Sequence, residues 1–164
     1  FSPADIIWDC RYDLPFTDGS FTFIFSEHFF EHIDFPLSAK SILGETHRIL
    51  KPNGSLFLGV PDCGKVIKSY VSGNKNFLKK LYENCYNKRN PPVEVYGDLD
   101  LVNYLFRDQI DNPNYAPHLW AYDELSLTKL LKSVGFKKVE KVKFDSRYCN
   151  LKRKFYTLYL KAIK

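Results

Sequence analysis

The amino-acid sequence predicts a single α/β domain built on a mostly parallel sheet with helices on both faces. Three observations carry that prediction. The chain has 164 residues, 45% of them apolar and 26% charged, as expected for one globular domain. An apolar run, a helical pattern, a Gly turn and a second apolar run follow one another, as in parallel strands joined by a helix. A lysine-rich strand precedes a final apolar strand, which indicates an antiparallel pair at one edge of the sheet.

The first third of the chain supplies three predicted strands and one helix. Residues 4–8 (ADIIW) and 21–25 (FTFIF) are short and almost wholly apolar, as in strands covered on both faces. From Leu37 onward, apolar residues recur at helical spacing, until Pro52-Asn53-Gly54 ends the helix and turns the chain. Residues 55–60 (SLFLGV) form the third predicted strand.

The stretch 64–117 is predicted to be an insertion or lid within the domain. Apolar residues at helical offsets predict a helix over 66–86, which the polar segment 87–92 breaks. Residues 93–117 are rich in Asn, Asp, Pro and Tyr, which predicts a long ordered loop with short helical pieces. Insertions of this kind are typically lids or substrate loops, and a homodimer interface is the alternative.

The last part of the chain predicts a helix and two strands. Asp123 is expected to cap a helix over 124–134, which Gly135 ends. The strand 136–144 carries four lysines, a composition that keeps an exposed edge from pairing with another sheet. The strand 155–163 is almost continuously apolar, which suits an interior position. We therefore expect an antiparallel pair with the lysine strand outside.

Composition bounds the partners and the location. No run approaches the roughly 20 apolar residues of a membrane span, so no membrane partner is expected. The net charge is +5, and residues 129–164 hold twelve Lys and Arg against two acidic residues. The lysine strand explains much of that charge, so nucleic acid is an unlikely partner, although an RNA-modifying enzyme is one alternative. Four scattered cysteines without a Cys-x-x-Cys pair indicate reduced thiols and a cytoplasmic protein.

Five motifs in a fixed order carry a resemblance to a known family. They are Asp13-Leu-Pro-Phe16, Asp18-Gly-Ser-Phe21, Ser26-Glu-His-Phe-Phe-Glu-His32, Glu45-Thr-His-Arg-Ile-Leu-Lys-Pro-Asn-Gly54 and Val60-Pro-Asp62. The series resembles the class I S-adenosylmethionine-dependent methyltransferases, and most of all the small type-11-like group, over residues 5–62. A Tyr-Asp, helix, Gly-Phe pattern over 118–136 is similar to the last helix of that family.

The resemblance implies a partial Rossmann-like methyltransferase sheet. The family's strand order is 3-2-1-4-5-7-6 with strand seven antiparallel, and the five predicted strands resemble strands three to seven in this chain's order 3, 4, 5, 6, 7. Strands one and two, with the Gly-rich turn that approaches the cofactor, have no counterpart in the sequence, which also contains no Met. We therefore expect residues 1–164 to be a single methyltransferase-like domain that is incomplete at its N-terminus.

The resemblance also implies a function, which is transfer of a methyl group from S-adenosylmethionine to a small-molecule acceptor by the complete protein. Without the Gly-rich turn, this chain alone is expected to bind the cofactor weakly or not at all. A non-catalytic binding or accessory module with the same fold is the alternative.

Ligands of an open α/β sheet lie outside the carboxyl ends of its strands, and the resemblance places four cofactor-binding residues there. Asp9 and Cys10 would lie at the adenine, with Asp9 accepting from the amino group. Ser26 and Glu27 would lie near the methionine portion, where a carboxylate favours the sulfonium cation. A cap on nearby loop amides is the alternative role for Asp9.

Methyl transfer needs a general base only where the acceptor must lose a proton. His28 is the first catalytic candidate, because an imidazole titrates near neutrality and this one follows a strand end. His118, which precedes Trp120 at the mouth of the insertion, is the second. A purely structural histidine is the alternative in each case.

His28-Phe-Phe-Glu31-His32 also spells the H-x-x-E-H pattern of zinc proteases. Two histidines four apart on a helix could bind a metal. The flanking strand and the following turn and strand fit a methyltransferase instead, so no metal ligand is assigned. Glu31 and His32 are interpreted as residues that cap or brace the next helix.

Overall fold

The computed structural model describes residues 4–88, 93–107 and 116–164, which form four strands and five α-helices in an α/β arrangement. The elements are β1 Phe21–Glu27, α1 Leu37–Ile49, β2 Leu50–Pro61, α2 Cys63–Val71, α3 Lys75–Cys85, α4 Asp98–Phe106, α5 Glu124–Ser133, β3 Lys138–Lys141 and β4 Thr157–Ile163. Two short 3-10 helices, Phe30–His32 and Leu151–Arg153, follow β1 and precede β4. No helix among the described residues is long and apolar enough to cross a bilayer.

The four strands form one sheet in the order β1-β2-β4-β3. β1 and β2 run parallel, with Phe25 opposite Phe57, while β4 runs antiparallel to both of its neighbours. This order confirms the predicted arrangement of strands four to seven, including an apolar last strand inside and a lysine strand at the edge. β2 is longer than predicted, and its pairing with β1 is interrupted around Asn53, where φ is +62°.

The largest core lies between one face of the sheet and the helices α1 and α5. Its buried residues come from alternate positions of the central strands and from one side of each helix, chiefly Leu56, Leu58, Val60, Leu158, Leu160, Ala39, Leu43, Leu127 and Leu131. The opposite face carries a smaller cluster in which Phe57 and Tyr159 are buried, and Val142, Phe144 and Cys149 pack there from the chain after β3.

The strand predicted over residues 4–8 does not form. These residues have irregular backbone, and the side chain of Ile7 is 92% exposed. In the described chain β1 pairs with β2 alone, so residues 4–8 have no strand to which they can add backbone hydrogen bonds. An apolar run without such a partner stays irregular, because its amide groups remain hydrogen-bonded to water.

The helix predicted over 66–86 is two helices, α2 and α3. Between them Gly73 adopts a φ of +65°, and the side chain of Asn74 accepts a hydrogen bond from the Phe77 amide, which starts α3 anew. Asn at this position is a preferred helix cap. With α4, these helices surround their own core, centred on Val66, Leu81 and Leu105. Parts of the predicted break at 87–92 and of the loop at 93–117 lie outside the described residues.

The predicted helix start at Asp123 is confirmed. Its carboxylate accepts a hydrogen bond of 2.7 Å from the Ser126 amide, and the Ser126 hydroxyl lies 3.1 Å from the Asp123 amide. Gly135 follows the helix with a φ of +109°, a conformation that L-residues rarely adopt. The helix α5 thus begins and ends within one residue of the prediction.

Candidate functional site

The carboxyl ends of β1 and β2 lie side by side at one edge of the sheet. Glu27, the last residue of β1, is opposite Gly59, and the next amide, that of His28, donates a hydrogen bond of 2.8 Å to the Gly59 carbonyl. β2 ends two residues later, and Asp62 then caps α2 by accepting from the Lys65 amide at 2.9 Å. The strand ends therefore bring polar groups from both strands to the same edge.

His28 leaves β1 in a left-handed conformation, with a φ of +54°, and its side chain turns into the protein. Its Nδ1 lies 3.2 Å from Oε1 of Glu31, while its Nε2 lies 2.8 Å from the Thr157 hydroxyl. The side chains are 7% exposed for His28 and 2% for Glu31. A carboxylate this deeply buried requires a cation or hydrogen-bond donors nearby, yet no described residue donates a hydrogen bond to either oxygen of Glu31.

A segment at 117–120, which we call the strap, crosses the short helix that contains Glu31. The Glu31 carbonyl accepts from the Leu119 amide at 2.7 Å and from the Trp120 amide at 3.2 Å. The Trp120 ring stacks on Phe35, with centroids 4.3 Å apart and planes 13° apart. These contacts hold the strap, and with it His118, against residues that lie far away in the sequence.

The strap places His118 beside His32, with ring centroids 5.0 Å apart. One oxygen of Glu31 and one nitrogen of each ring all lie within 4.8 Å of one another. Tyr122 is buried next to this group, and its pKa rises to about 12, mainly through burial and secondly through the charge on Glu31. We call Glu31, His28, His32 and His118 the histidine cluster.

Sequence reasoning picked His28 and His118 as separate candidates, and the structure brings both into this cluster. It missed Glu31 and His32 as site residues, although the H-x-x-E-H pattern that contains them was the available signal. The pattern is not on one helix, because His28 directly follows the strand β1 and the 3-10 helix begins at Phe30. The third histidine comes from the strap, which no local pattern reveals.

Glu27 points toward the opposite face of the sheet and is held there by three groups. Its carboxylate accepts a hydrogen bond of 2.7 Å from the Tyr159 hydroxyl and one of 3.1 Å from the Asn150 amide, and Arg153 lies 3.8 Å away. Ser26 precedes it as a half-buried residue of β1, paired with Leu58 of β2. Glu27 therefore joins the end of β1 to the segment that leads into β4.

Asp9 and Cys10 lie in the irregular segment before β1. The Arg11 side chain donates to the Asp9 carboxylate at 2.6 Å, and this bond, with the Arg11 amide, lowers the pKa of Asp9 to about 2. Cys10 is half-buried and packs against the main core. The first of the three strand ends expected at the site is thus a loop with an exposed carboxylate.

A cavity of about 830 Å³ lies between α2 and the start of α5. It is an open groove whose charged lining comes mainly from Asp62, Lys65, Lys68 and Asp123, with Lys141 paired to Glu124 at its rim. None of the six predicted site residues lines it.

Comparison with known proteins gives a family match over the first third of the chain. Residues 6–58 match a family model described as a methyltransferase domain. Among curated proteins, no sequence matches the chain. The family match covers β1, α1 and most of β2, which is the part of the chain that ends at the candidate site.

Solved structures share the fold across nearly the whole chain. A methyltransferase from Methanosarcina mazei that depends on S-adenosylmethionine is 20% identical over 96% of this chain and 65% of its own, with a TM-score of 0.53. A second such enzyme, from Archaeoglobus fulgidus, is 15% identical over 97% and 66%, with a TM-score of 0.53. The PH0226 protein from Pyrococcus horikoshii is 16% identical over 96% and 57%, with a TM-score of 0.54.

This chain thus spans about two thirds or less of the length of these structures. At these identities the likeness concerns the fold. The resemblance predicted from the motifs is confirmed, and the chain has the Rossmann-like fold of the class I S-adenosylmethionine-dependent methyltransferases.

Proposed function

We propose that the complete protein transfers a methyl group from S-adenosylmethionine to a small-molecule acceptor. The observation that carries the proposal is the match of residues 6–58 to a methyltransferase domain, since this stretch contains β1 with its polar end and most of β2. In α/β sheets of this kind, ligands bind outside the carboxyl ends of the strands. The methyl group on the sulfonium is the chemistry that the cofactor supplies.

The residues present fit part of such a cofactor. Asp9 is exposed and keeps its negative charge at neutral pH, so it can accept from an adenine amino group while Arg11 stays bonded to it. Cys10 and Ser26 are the proposed neighbours of the nucleoside and methionine portions. The carboxylate of Glu27 already accepts two hydrogen bonds, so its proposed contribution is negative charge near the sulfonium.

For an acceptor that must lose a proton, we propose His28 as the first proton acceptor and His118 as the second. The Thr157 hydroxyl fixes one nitrogen of His28, and the carboxylate of Glu31 would stabilise the ring once it is charged. A carboxylate beside an imidazole favours the charged form of the ring. Apart from that role, the chain's part in methyl transfer is to align acceptor and donor.

We propose that the insertion 64–117 covers the acceptor. His118 Nδ1 lies 2.8 Å from the Leu105 carbonyl of α4, which ties the insertion to the histidine cluster. A second copy of the chain on the same surface is the alternative. The four cysteines form no disulfide with one another, which supports a cytoplasmic protein, and the lysine strand accounts for much of the positive charge without nucleic acid.

Calorimetric titration with S-adenosylmethionine tests the proposal. It is performed on this chain and on a chain extended by the coding sequence upstream of Phe1. We expect weak or no binding to the short chain and clear binding to the extended one. An extended chain that folds but does not bind would contradict the enzyme and favour the second candidate, a non-catalytic module of the same fold.

In the extended chain, each of the single substitutions His28→Gln and His118→Gln should lower the rate of methyl transfer. Neither should have more than a small effect on binding of S-adenosylmethionine. If His28 takes the proton, the low-pH limb of the rate profile disappears in His28→Gln. A profile that keeps this limb in both variants would exclude the two histidines as proton acceptors.

A further inference from the structure

The carboxylate of Glu31 has no adequate partner for its burial. Its side chain is 2% exposed, and neither oxygen has a hydrogen-bond donor among the described residues. The hydroxyl of Tyr122, buried beside it, has no hydrogen-bond partner among them either. Buried polar groups are nearly always satisfied, and an unsatisfied charged group destabilises the fold by more than a neutral one. The arrangement therefore indicates a further group between these side chains.

Backbone carbonyls fix the tautomers of two histidines. Nδ1 of His32 lies 3.2 Å from the Pro117 carbonyl, and Nδ1 of His118 lies 2.8 Å from the Leu105 carbonyl. A carbonyl only accepts, so each Nδ1 carries the hydrogen, and in the neutral ring the lone pair is on Nε2. This second-sphere hydrogen bond to a carbonyl is the usual support of a metal-bound histidine.

The contact between His28 and Glu31 also lacks a positively charged or hydrogen-bonding group between its two atoms. The Thr157 hydroxyl donates to the Arg153 carbonyl at 2.6 Å, so it accepts from Nε2–H of His28. In neutral His28 the lone pair of Nδ1 then faces Oε1 of Glu31 at 3.2 Å. Two lone-pair atoms at this distance repel each other unless a proton or a metal cation lies with them.

We infer that Glu31, His32 and His118 bind a divalent transition-metal ion at the carboxyl edge of the sheet. Their ligand atoms lie within 4.8 Å of one another, and ligands of a tetrahedral ion at about 2.0–2.2 Å stand roughly 3.3 Å apart, so the side chains would have to approach one another by up to about 1.5 Å. One carboxylate and two imidazoles suit zinc and its neighbours better than calcium or magnesium. His32, with 24% of its side chain exposed, provides the entry from solvent.

Three protein ligands leave a fourth position on a tetrahedral ion. His28 lies next to Glu31 and either occupies that position or holds the carboxylate in place. A site with an open position is typical of metals that act on a ligand, whereas purely structural zinc has four protein ligands. The inference concerns metal binding and does not depend on the proposed methyl transfer. A bound ion would occupy the Nε2 lone pair of His118, which would leave His28 as the proposed proton acceptor.

Zinc titration of the metal-free chain at neutral pH tests the inference, with Co²⁺ as a spectroscopic probe. We expect about one ion per chain and visible cobalt bands of a tetrahedral N/O site. Absorption from thiolate-to-cobalt charge transfer would instead place the ion on the cysteines and overturn the inference.

Glu31→Gln, His32→Gln and His118→Gln should each weaken zinc binding by more than about 100-fold, because loss of outer-sphere partners alone costs roughly 10–100-fold. His47→Gln is the matched control, since His47 is the only histidine of the sequence outside the cluster. His47→Gln should bind zinc as the parent chain does.

Should Glu31→Gln fail to fold, the surface-accessible His32→Gln still decides the question. A parent chain that binds no zinc, or a His32→Gln chain that binds it equally well, overturns the inference and leaves a proton shared by His28 and Glu31. Titration with S-adenosylmethionine is a separate readout, so failure of the metal site and failure of the proposed function are distinguishable.

Discussion

His47 shows how a single side chain can make stability depend on pH. Its half-buried ring meets the edge of Phe136 at 5.1 Å, and burial, followed by the charge of Lys164, lowers its pKa. A lowered folded-state pKa means that the unfolded chain takes up the proton first as pH falls. The contribution of neutral His47 to the free energy of unfolding is therefore complete above 6.5, the ordinary pKa of histidine. It is lost as pH falls through the folded-state pKa of His47.

We therefore expect the free energy of unfolding of the parent chain to fall between pH 8 and pH 5. His47→Gln should show a smaller fall over the same range. Urea titrations of both chains at a series of pH values measure the difference. If the free energy of unfolding falls equally with pH in the two chains, His47 is excluded as the cause of the pH dependence.

Gly59 is required where β2 passes under the ring of Tyr159. A Cβ at this position would lie 2.8 Å from Cε1 of Tyr159 and 3.2 Å from Cγ2 of Thr157. Gly59→Ala should therefore destabilise the protein by about 1–3 kcal/mol, as overpacked cores do, and displace the tyrosine that donates to Glu27. Thermal and chemical unfolding measure the loss.

Gly44→Ala is the control for that experiment. Gly44 lies inside α1, and a Cβ there meets no atom within 4 Å outside its own helix. The substitution should stabilise the protein by about 0.5–1 kcal/mol, because alanine favours the helix interior. Equal effects at the two positions would show that backbone propensity, and not the Tyr159 contact, decides the outcome at Gly59.

At the level of elements, the lysines of β3 protect the end of the sheet. β3 pairs with β4 alone, so its other edge exposes backbone groups that could pair with a second chain. Replacing Lys138 in β3 and Lys143, two residues after it, by Thr should promote self-association, because exposed edges lacking charge add further strands. Light scattering coupled to size-exclusion chromatography detects it.

Lys129→Thr with Lys132→Thr provides the matched control, since it removes the same charge from exposed positions in α5. This double variant should show the same state of association as the parent chain. Association of both double variants would attribute the effect to net charge, and association of neither would show that the edge is protected by other means.

Elements were predictable where the apolar pattern alone determines the structure. β1, α1, β2, α5 and β4 all form at the predicted places, because each buries one face or both faces in a core that the chain itself supplies. The run 4–8 has the same composition as a strand but no partner in the described sheet. The helix over 66–86 divides because Asn74 caps a new helix, an effect of one residue within a long apolar pattern.

At the level of the whole molecule, the site was predictable only in part. Two of its histidines stood out individually, since each follows or precedes a recognisable element. The two rings come together only because of the strap, in which the Pro117 carbonyl contacts His32, a residue 85 positions earlier in the sequence. Such a contact follows from tertiary packing and leaves no periodic signal. Glu31 illustrates the same limit, because its burial became apparent only with the strap in place.

The strap closes a long loop of chain. The entropy cost of closing such a loop grows only with the logarithm of its length, so the insertion 64–117, which leads from β2 to the strap, can be lengthened at little cost while the closure contacts persist. The helix α1 and the strand β2 belong to the same loop but are fixed by the main core. An evolving chain could therefore replace the covering segment over the strand ends again and again and retain the chemistry beneath it.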